Sequence, residues 1–120
     1  MLASRLLVFA LFWASTATVG SAEPTAGSAQ PVVAPEPDVV RQKELVRLVR
    51  QDCGSCHGMT LQGGLGPALL PATLLEKPVE GLVATIYYGR PGTPMPPWKQ
   101  FMSEADAAWI VRELMSGFPQ

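Results

Sequence analysis

Histidine and cysteine are scarce in this sequence, and charge of either sign has no excess. The 120 residues include one His and two Cys, and nine Lys and Arg face ten Asp and Glu for a formal net charge of −1. A single His excludes a polyhistidine metal site, a bis-His haem and any mechanism that needs two imidazoles. Two Cys exclude a disulfide scaffold and a four-Cys zinc site. Near-neutrality argues against nucleic acid as a partner, since that binding takes a basic patch. The longest uninterrupted apolar run, Leu6–Ala14, has nine residues, well short of the roughly 20 that span a bilayer. What is left is a small protein with one site, and its position depends on where the two Cys and the His lie.

The chain divides into three parts. Residues 1–22 have the pattern of an export signal. Arg5 is the only charge, an apolar run follows, and small residues end the segment at Gly20-Ser21-Ala22. Cleavage after Ala22 predicts a mature chain outside the cytoplasm, and membrane association after cleavage is not expected. Residues 23–37, with four Pro in 15 positions, read as an extended linker. Residues 38–120 form the domain. It holds eight Lys and Arg against eight Asp and Glu. A core this small usually needs a staple such as a disulfide, metal or cofactor.

The domain reads as all-α. Asp38 is a suitable N-cap for a helix to about Gln51, with Val39, Leu45, Val46, Leu48 and Val49 mainly on one face. Ser103 with Asp106 makes a capping-box-like start for the final helix. That helix carries Ala107, Ile110, Val111, Leu114 and Phe118 as its stripe, Trp109 on its flank and Gly117 as its stop. A shorter helix is predicted over Val79–Tyr88, opened by Pro78 and ended by Gly89. The rest of residues 54–97, with eight Gly and seven Pro in 44 positions, shows no strand pattern. So much irregular backbone makes sense if it wraps a group that the sequence itself does not contain.

Both Cys and the only His fall together in Cys53-Gly54-Ser55-Cys56-His57. C-x-x-C-H is the attachment signature of a c-type haem. Two thiols three apart can add to the vinyl groups on one porphyrin edge, and the adjacent imidazole then lies beneath the iron. Three other readings fit less well. A thioredoxin-type pair sits in a βαβ context, and zinc needs a fourth ligand. A plain disulfide leaves His57 and the Gly-Pro loop unexplained.

One His requires a different sixth ligand, or none. Met59 is too near His57 to reach the opposite haem face. Met115 reads as core, and Met102 lies beside a helix start. Met95 lies in Thr93-Pro94-Met95-Pro96-Pro97-Trp98, where three prolines pre-set an extended loop that can present one thioether. The alternative role for Met95 is a buried gap-filler. His57 and Met95 are therefore the candidate iron ligands.

From helix through C-x-x-C-H, Gly-Pro loop, middle helix and Met loop to final helix, residues 38–120 resemble the class I c-type cytochromes. The resemblance implies N- and C-terminal helices that cross, and irregular loops wrapped around one covalently attached haem c. It implies that Pro67, in Gly63-Gly64-Leu65-Gly66-Pro67, accepts the Nδ1–H of His57. Trp109 matches the family's aromatic residue on the last helix. Leu45 departs from the pattern, because the family often has a small residue there; this implies a wider or shifted crossing. The stretch Gly89–Trp98, followed by Ser103–Asp106, is similar to the small periplasmic cytochromes encoded beside the nitrite reductase of denitrifying bacteria. That likeness implies an electron carrier without turnover of its own. Its redox partners would be nitrite reductase or the proteins that build its special haem. The competing functions are an open-iron haem enzyme or sensor, and a non-carrier assembly factor. With only Lys43, Lys77 and Lys99 in the domain, docking is expected through an apolar rim with weak salt dependence.

Overall fold

Asp38 opens the first helix, accepting a hydrogen bond from Arg41 N on its side chain at 2.9 Å. The computed structural model describes residues 35–119, so the export signal and residues 23–34 of the linker lie outside the described residues. Helix α1 spans Val39–Leu48. Its backbone does not stop near Gln51 as the sequence predicts. It widens into a π-helical turn over Val49–Cys53 and continues as α2, Gly54–His57. Asp52, Cys53 and Gly54 are weak helix formers, which hides this extension from propensity.

Three more helices follow: α3 over Pro71–Leu74, α4 over Val79–Tyr88 and α5 over Glu104–Ser116. There is no strand among the described residues, and the all-α reading holds. Helix α4 has the predicted bounds, entered from Pro78 and ended by Gly89 at φ +71°. The short α3 has no sequence period and was not expected. Its Pro71 stands at the first helical position, where the missing N–H leaves no donor unpaired.

Helix α5 forms the centre of the core. Ala107, Ile110, Val111 and Leu114 are buried from it, joined by Leu45 and Val49 of the first helix and by Leu74, Val83 and Met102. Three sequence expectations are corrected here. Trp109 is buried at 3% exposure and is not on a flank. Phe118 is also buried, but it lies beyond the end of α5, past Gly117 at φ +104°. Val39 is 66% exposed and leaves the first helix's buried face to Leu45 and Val49. The backbone of α5 lies closest to α3 and α4, and α1 reaches it chiefly through side chains. Leu45 is fully buried at this meeting.

The end of the predicted linker is tied to this core. Trp109 Nε1 donates to Glu36 Oε1 at 3.3 Å, and Gln42 Nε2 donates to Pro37 O at 2.9 Å. Among the described residues no helix is long and apolar enough to cross a membrane.

Asp106 joins three parts of the chain. It accepts from Ser103 N at 2.9 Å, while its own N–H donates to Ser103 Oγ at 3.1 Å, completing the capping box. Arg41 reaches the same carboxylate with Nε at 3.3 Å and Nη2 at 3.0 Å, and Nη2 also reaches Phe101 O at 2.9 Å. Burial pushes the Asp106 carboxyl up, but the hydrogen bonds from Arg41 and Ser103 outweigh it and hold it below the usual carboxylate range. A carboxylate whose pKa falls on folding stabilises the fold above its unfolded pKa, about 4, and loses that contribution as pH drops through the lower folded value. Asp106→Asn is therefore expected to cost about 1–3 kcal/mol at neutral pH. It should also flatten the acid limb of stability below about pH 4, as read by urea titrations at several pH values.

Candidate functional site

The helix that begins at Asp38 delivers Cys53, Cys56 and His57 on its last turns. Cys53 is half-buried, Cys56 is exposed, and both thiols are free. Burial, with the charge of Asp52 beside it, pushes the Cys53 thiol up to about 11.

His57 is 8% exposed. Its Nδ1 lies 2.7 Å from Pro67 O. A carbonyl oxygen can only accept, so Nδ1 carries the hydrogen and donates it. Nε2 is left with its lone pair and makes no hydrogen bond among the described residues. This is the tautomer a metal-ligating imidazole needs.

The loop between His57 and Pro67 folds back onto the end of the helix. Gly63 N donates to His57 O at 2.8 Å and Gly66 N to Cys56 O at 2.8 Å, while Leu69 N donates to Leu61 O at 2.9 Å. Gly66 lies against the imidazole face. A Cβ there would come within 2.7 Å of His57 Cε1 and 2.8 Å of Nδ1. The sequence shows a Gly cluster, but only the structure shows that this glycine exists to admit the ring.

Met95 stands apart from this cluster, half-buried on the loop after α4. Arg90 N donates to Met95 O at 3.1 Å, and Thr93 N donates to Arg90 O at 3.1 Å. Farther along, Trp98 N donates to Ile86 O at 3.2 Å and Lys99 N to Tyr87 O at 3.1 Å, which fastens the far end of the loop back onto α4. Gly89 makes the tight reversal possible, because a Cβ there would lie 2.6 Å from Pro96 C. Of the other methionines, Met102 is buried in the core, Met115 is packed against it and Met59 is 64% exposed.

The donor set suits a haem c. Two free thiols and an imidazole with Nε2 available lie on one helical segment, and a thioether stands on a separate braced loop. Among the described residues no group of three or more His, Cys, Asp or Glu could hold a metal ion. Two cavities, about 510 Å³ beside Trp109 and about 280 Å³ beside Phe118, include none of Cys53, Cys56, His57 or Met95.

Comparison with known proteins shows the family. Residues 40–112 match the family described as cytochrome C oxidase, cbb3-type, subunit III. The chain is 59% identical over 81 residues to cytochrome c55X of Pseudomonas aeruginosa, covering 68% of each chain. The solved structure of the c-type cytochrome NirC superposes with a TM-score of 0.67 at 58% identity, over 68% of this chain and 95% of that one. The dihydro-heme d1 dehydrogenase of Pseudomonas aeruginosa is 38% identical over 74 residues, which make up 61% of this chain and 15% of the dehydrogenase.

The close approach at Gly66 gives a direct check. Gly66→Ala is expected to destabilise by about 1–3 kcal/mol, as overpacking does. It should also remove the hydrogen-bonded Nδ1–H resonance of His57 from the NMR spectrum. An unchanged resonance would mean that the ring tolerates a methyl group at this contact.

Proposed function

The chain belongs to the cytochrome c55X family of c-type cytochromes, and from that premise we propose that it is an exported monohaem electron carrier of denitrification. The observation that carries the reading is the His57 geometry: Nδ1 is held by Pro67 O at 2.7 Å, and Nε2 is left to ligate. In this reading Cys53 and Cys56 hold one haem c covalently, His57 and Met95 are its axial ligands, and Pro67 fixes the imidazole. Bound there, the group supplies a one-electron couple, and a Met/His ligand pair raises its potential and closes the iron to substrates. The chain's own work is to orient those ligands and to present a surface for docking. No substrate is turned over.

The distribution of charge supports apolar docking. Residues 53–75 contain no Asp, Glu, Lys or Arg, and residues 81–103 contain Arg90 and Lys99 but no acid. These two stretches carry all the candidate site residues. They also carry most of the large exposed apolar side chains, among them Met59, Leu65, Tyr88 and Phe101. The partner is a protein that carries or builds the special haem of nitrite reductase. Support for this comes from the dihydro-heme d1 dehydrogenase, which includes a stretch similar to this domain within its own chain. Export to the periplasm rests on Arg5, the Leu6–Ala14 run and the small residues at Gly20-Ser21-Ala22.

The exported protein is expected to give a pyridine haemochrome spectrum with both vinyl groups saturated; a spectrum without covalent haem would sink the reading. Met95→Ala should abolish the sulfur-to-iron charge-transfer band of the ferric protein. Its survival would assign the sixth position elsewhere. Electron transfer to nitrite reductase, followed by stopped flow, should change less than about threefold between about 0.05 and about 0.5 M salt. In a deletion strain, a haem-loaded but electron-starved reductase indicates donation, and loss of its special haem indicates assembly.

A further inference from the structure

Arg50 lies in the π-helical turn that leads to Cys53, and it forms no salt bridge among the described residues. Its partners are backbone and ring. Nη1 donates to Met59 O at 3.4 Å, Nη2 donates to Pro119 O, and the guanidinium stands 5.4 Å from the centroid of the Phe118 ring. The residue therefore links the C-terminal tail to the start of the loop that runs from His57 to Pro67.

That loop contains the one non-glycine residue at positive φ among the described residues, Leu61 at φ +61°. A leucine in the left-handed region brings its Cβ too close to the following carbonyl oxygen, and such strain persists only where the surroundings hold it. Leu61 is buried at 2% exposure. Its N–H donates to Gly58 O at 2.8 Å, and its carbonyl accepts from Leu69 N at 2.9 Å. A cavity of about 280 Å³ lies beside Leu61, Leu69, Phe118 and Arg50. What braces the loop across that gap is Arg50, fixed on Met59 O two residues before Leu61 and stacked on Phe118.

We propose that Arg50, together with the tail Phe118-Pro119, is a positioning residue for His57: it keeps the strained Met59–Leu69 loop in the register that sets the Pro67 carbonyl on Nδ1. The proposal rests on the reading of His57 as an iron ligand. A carbonyl that accepts from Nδ1–H raises the basicity of Nε2 and favours the oxidised metal. When the brace is lost, the hydrogen bond weakens and the reduction potential rises.

The test uses the haem-loaded, full exported chain and compares Arg50→Gln, Arg50→Lys and Arg47→Gln. Arg47 is exposed on the same helix, so Arg47→Gln removes one positive charge without removing the brace. Lysine at 50 keeps the charge, but its single ammonium group cannot span two carbonyls. Both Arg50 variants are expected to raise the midpoint potential and to move the paramagnetically shifted His57 resonances, with Arg47→Gln changing neither. Phe118→Leu, which removes the ring beneath the guanidinium and keeps an apolar side chain, should shift the potential in the same direction and serves if the Arg50 variants fold poorly. A lowered denaturation midpoint with unchanged potential and unchanged His57 resonances would reduce Arg50 to a structural role and overturn the proposal. An equal shift in Arg47→Gln would also overturn it, by assigning the effect to charge. A wild-type chain without covalent haem would overturn the underlying reading and this proposal with it.

Discussion

The hydrogen bond from His57 Nδ1 to Pro67 O closes a ten-residue loop on its own starting point. The ring is buried, one nitrogen is occupied, and the other is left as a donor of fixed direction. Most local features of residues 53–69 follow from this one contact. The helix has to continue to residue 57 to deliver the ring, and it does so through a π-helical turn. The loop has to return within reach of the ring, and it does so by donating N–H groups to the carbonyls of Cys56 and His57. At Gly66 it has to pass so close to the imidazole that a Cβ would be excluded. Buried backbone groups need partners, and in this loop the end of the helix supplies them.

The rest of the domain supports that contact from a distance. Helix α5 supplies the centre of the apolar core, and at its start the Asp106 carboxylate accepts from Arg41 of α1 and from Ser103 N, while the same guanidinium also donates to Phe101 O. Coulomb attraction between exposed groups contributes little. Asp106 is different because it is buried, accepts from Arg41 and the Ser103 N–H, and caps a helix. Charge is concentrated in α1, α5 and the short stretch 76–80, and the loops that carry the candidate site are almost free of it. The fold therefore keeps its solubility on one set of elements and its chemistry on another.

Much of this was legible in the sequence, for identifiable reasons. Helices α4 and α5 announced themselves through Pro78, Gly89, Ser103 and Asp106, since capping is a local interaction between residues three or four apart. Cys53, Cys56 and His57 were legible because their chemistry fixes their spacing. Long-range effects were not legible. The burial of Trp109, the Glu36–Trp109 hydrogen bond, the role of Phe118 beyond its helix and the contact of Arg50 with the tail all join residues far apart in sequence. The extension of the first helix was missed because weak helix formers were ordered there by the loop that folds over them. Leu61 could not have been picked out, because nothing in a leucine marks a left-handed backbone.

The two candidate ligands are held by opposite means, and the difference explains why only one needs a brace. The Met95 loop is built with proline, which restricts the unfolded chain as well as the folded one, so that little conformational entropy is lost when the loop forms. Its far end is also fastened back onto α4. The His57 loop is built with glycine, which loses more freedom on folding than any other residue. It adds the strain of Leu61 and has a cavity behind it. Such a loop adopts one geometry only if something outside it restrains it. The helix end does this on one side through the carbonyls of Cys56 and His57. On the other side the restraint comes from Arg50, whose rigid guanidinium can reach two carbonyls and a ring at once. Proline gives the Met95 loop its order from within, whereas the glycine loop, which alone can approach the imidazole closely enough, depends on the C-terminus of the chain to hold it in place.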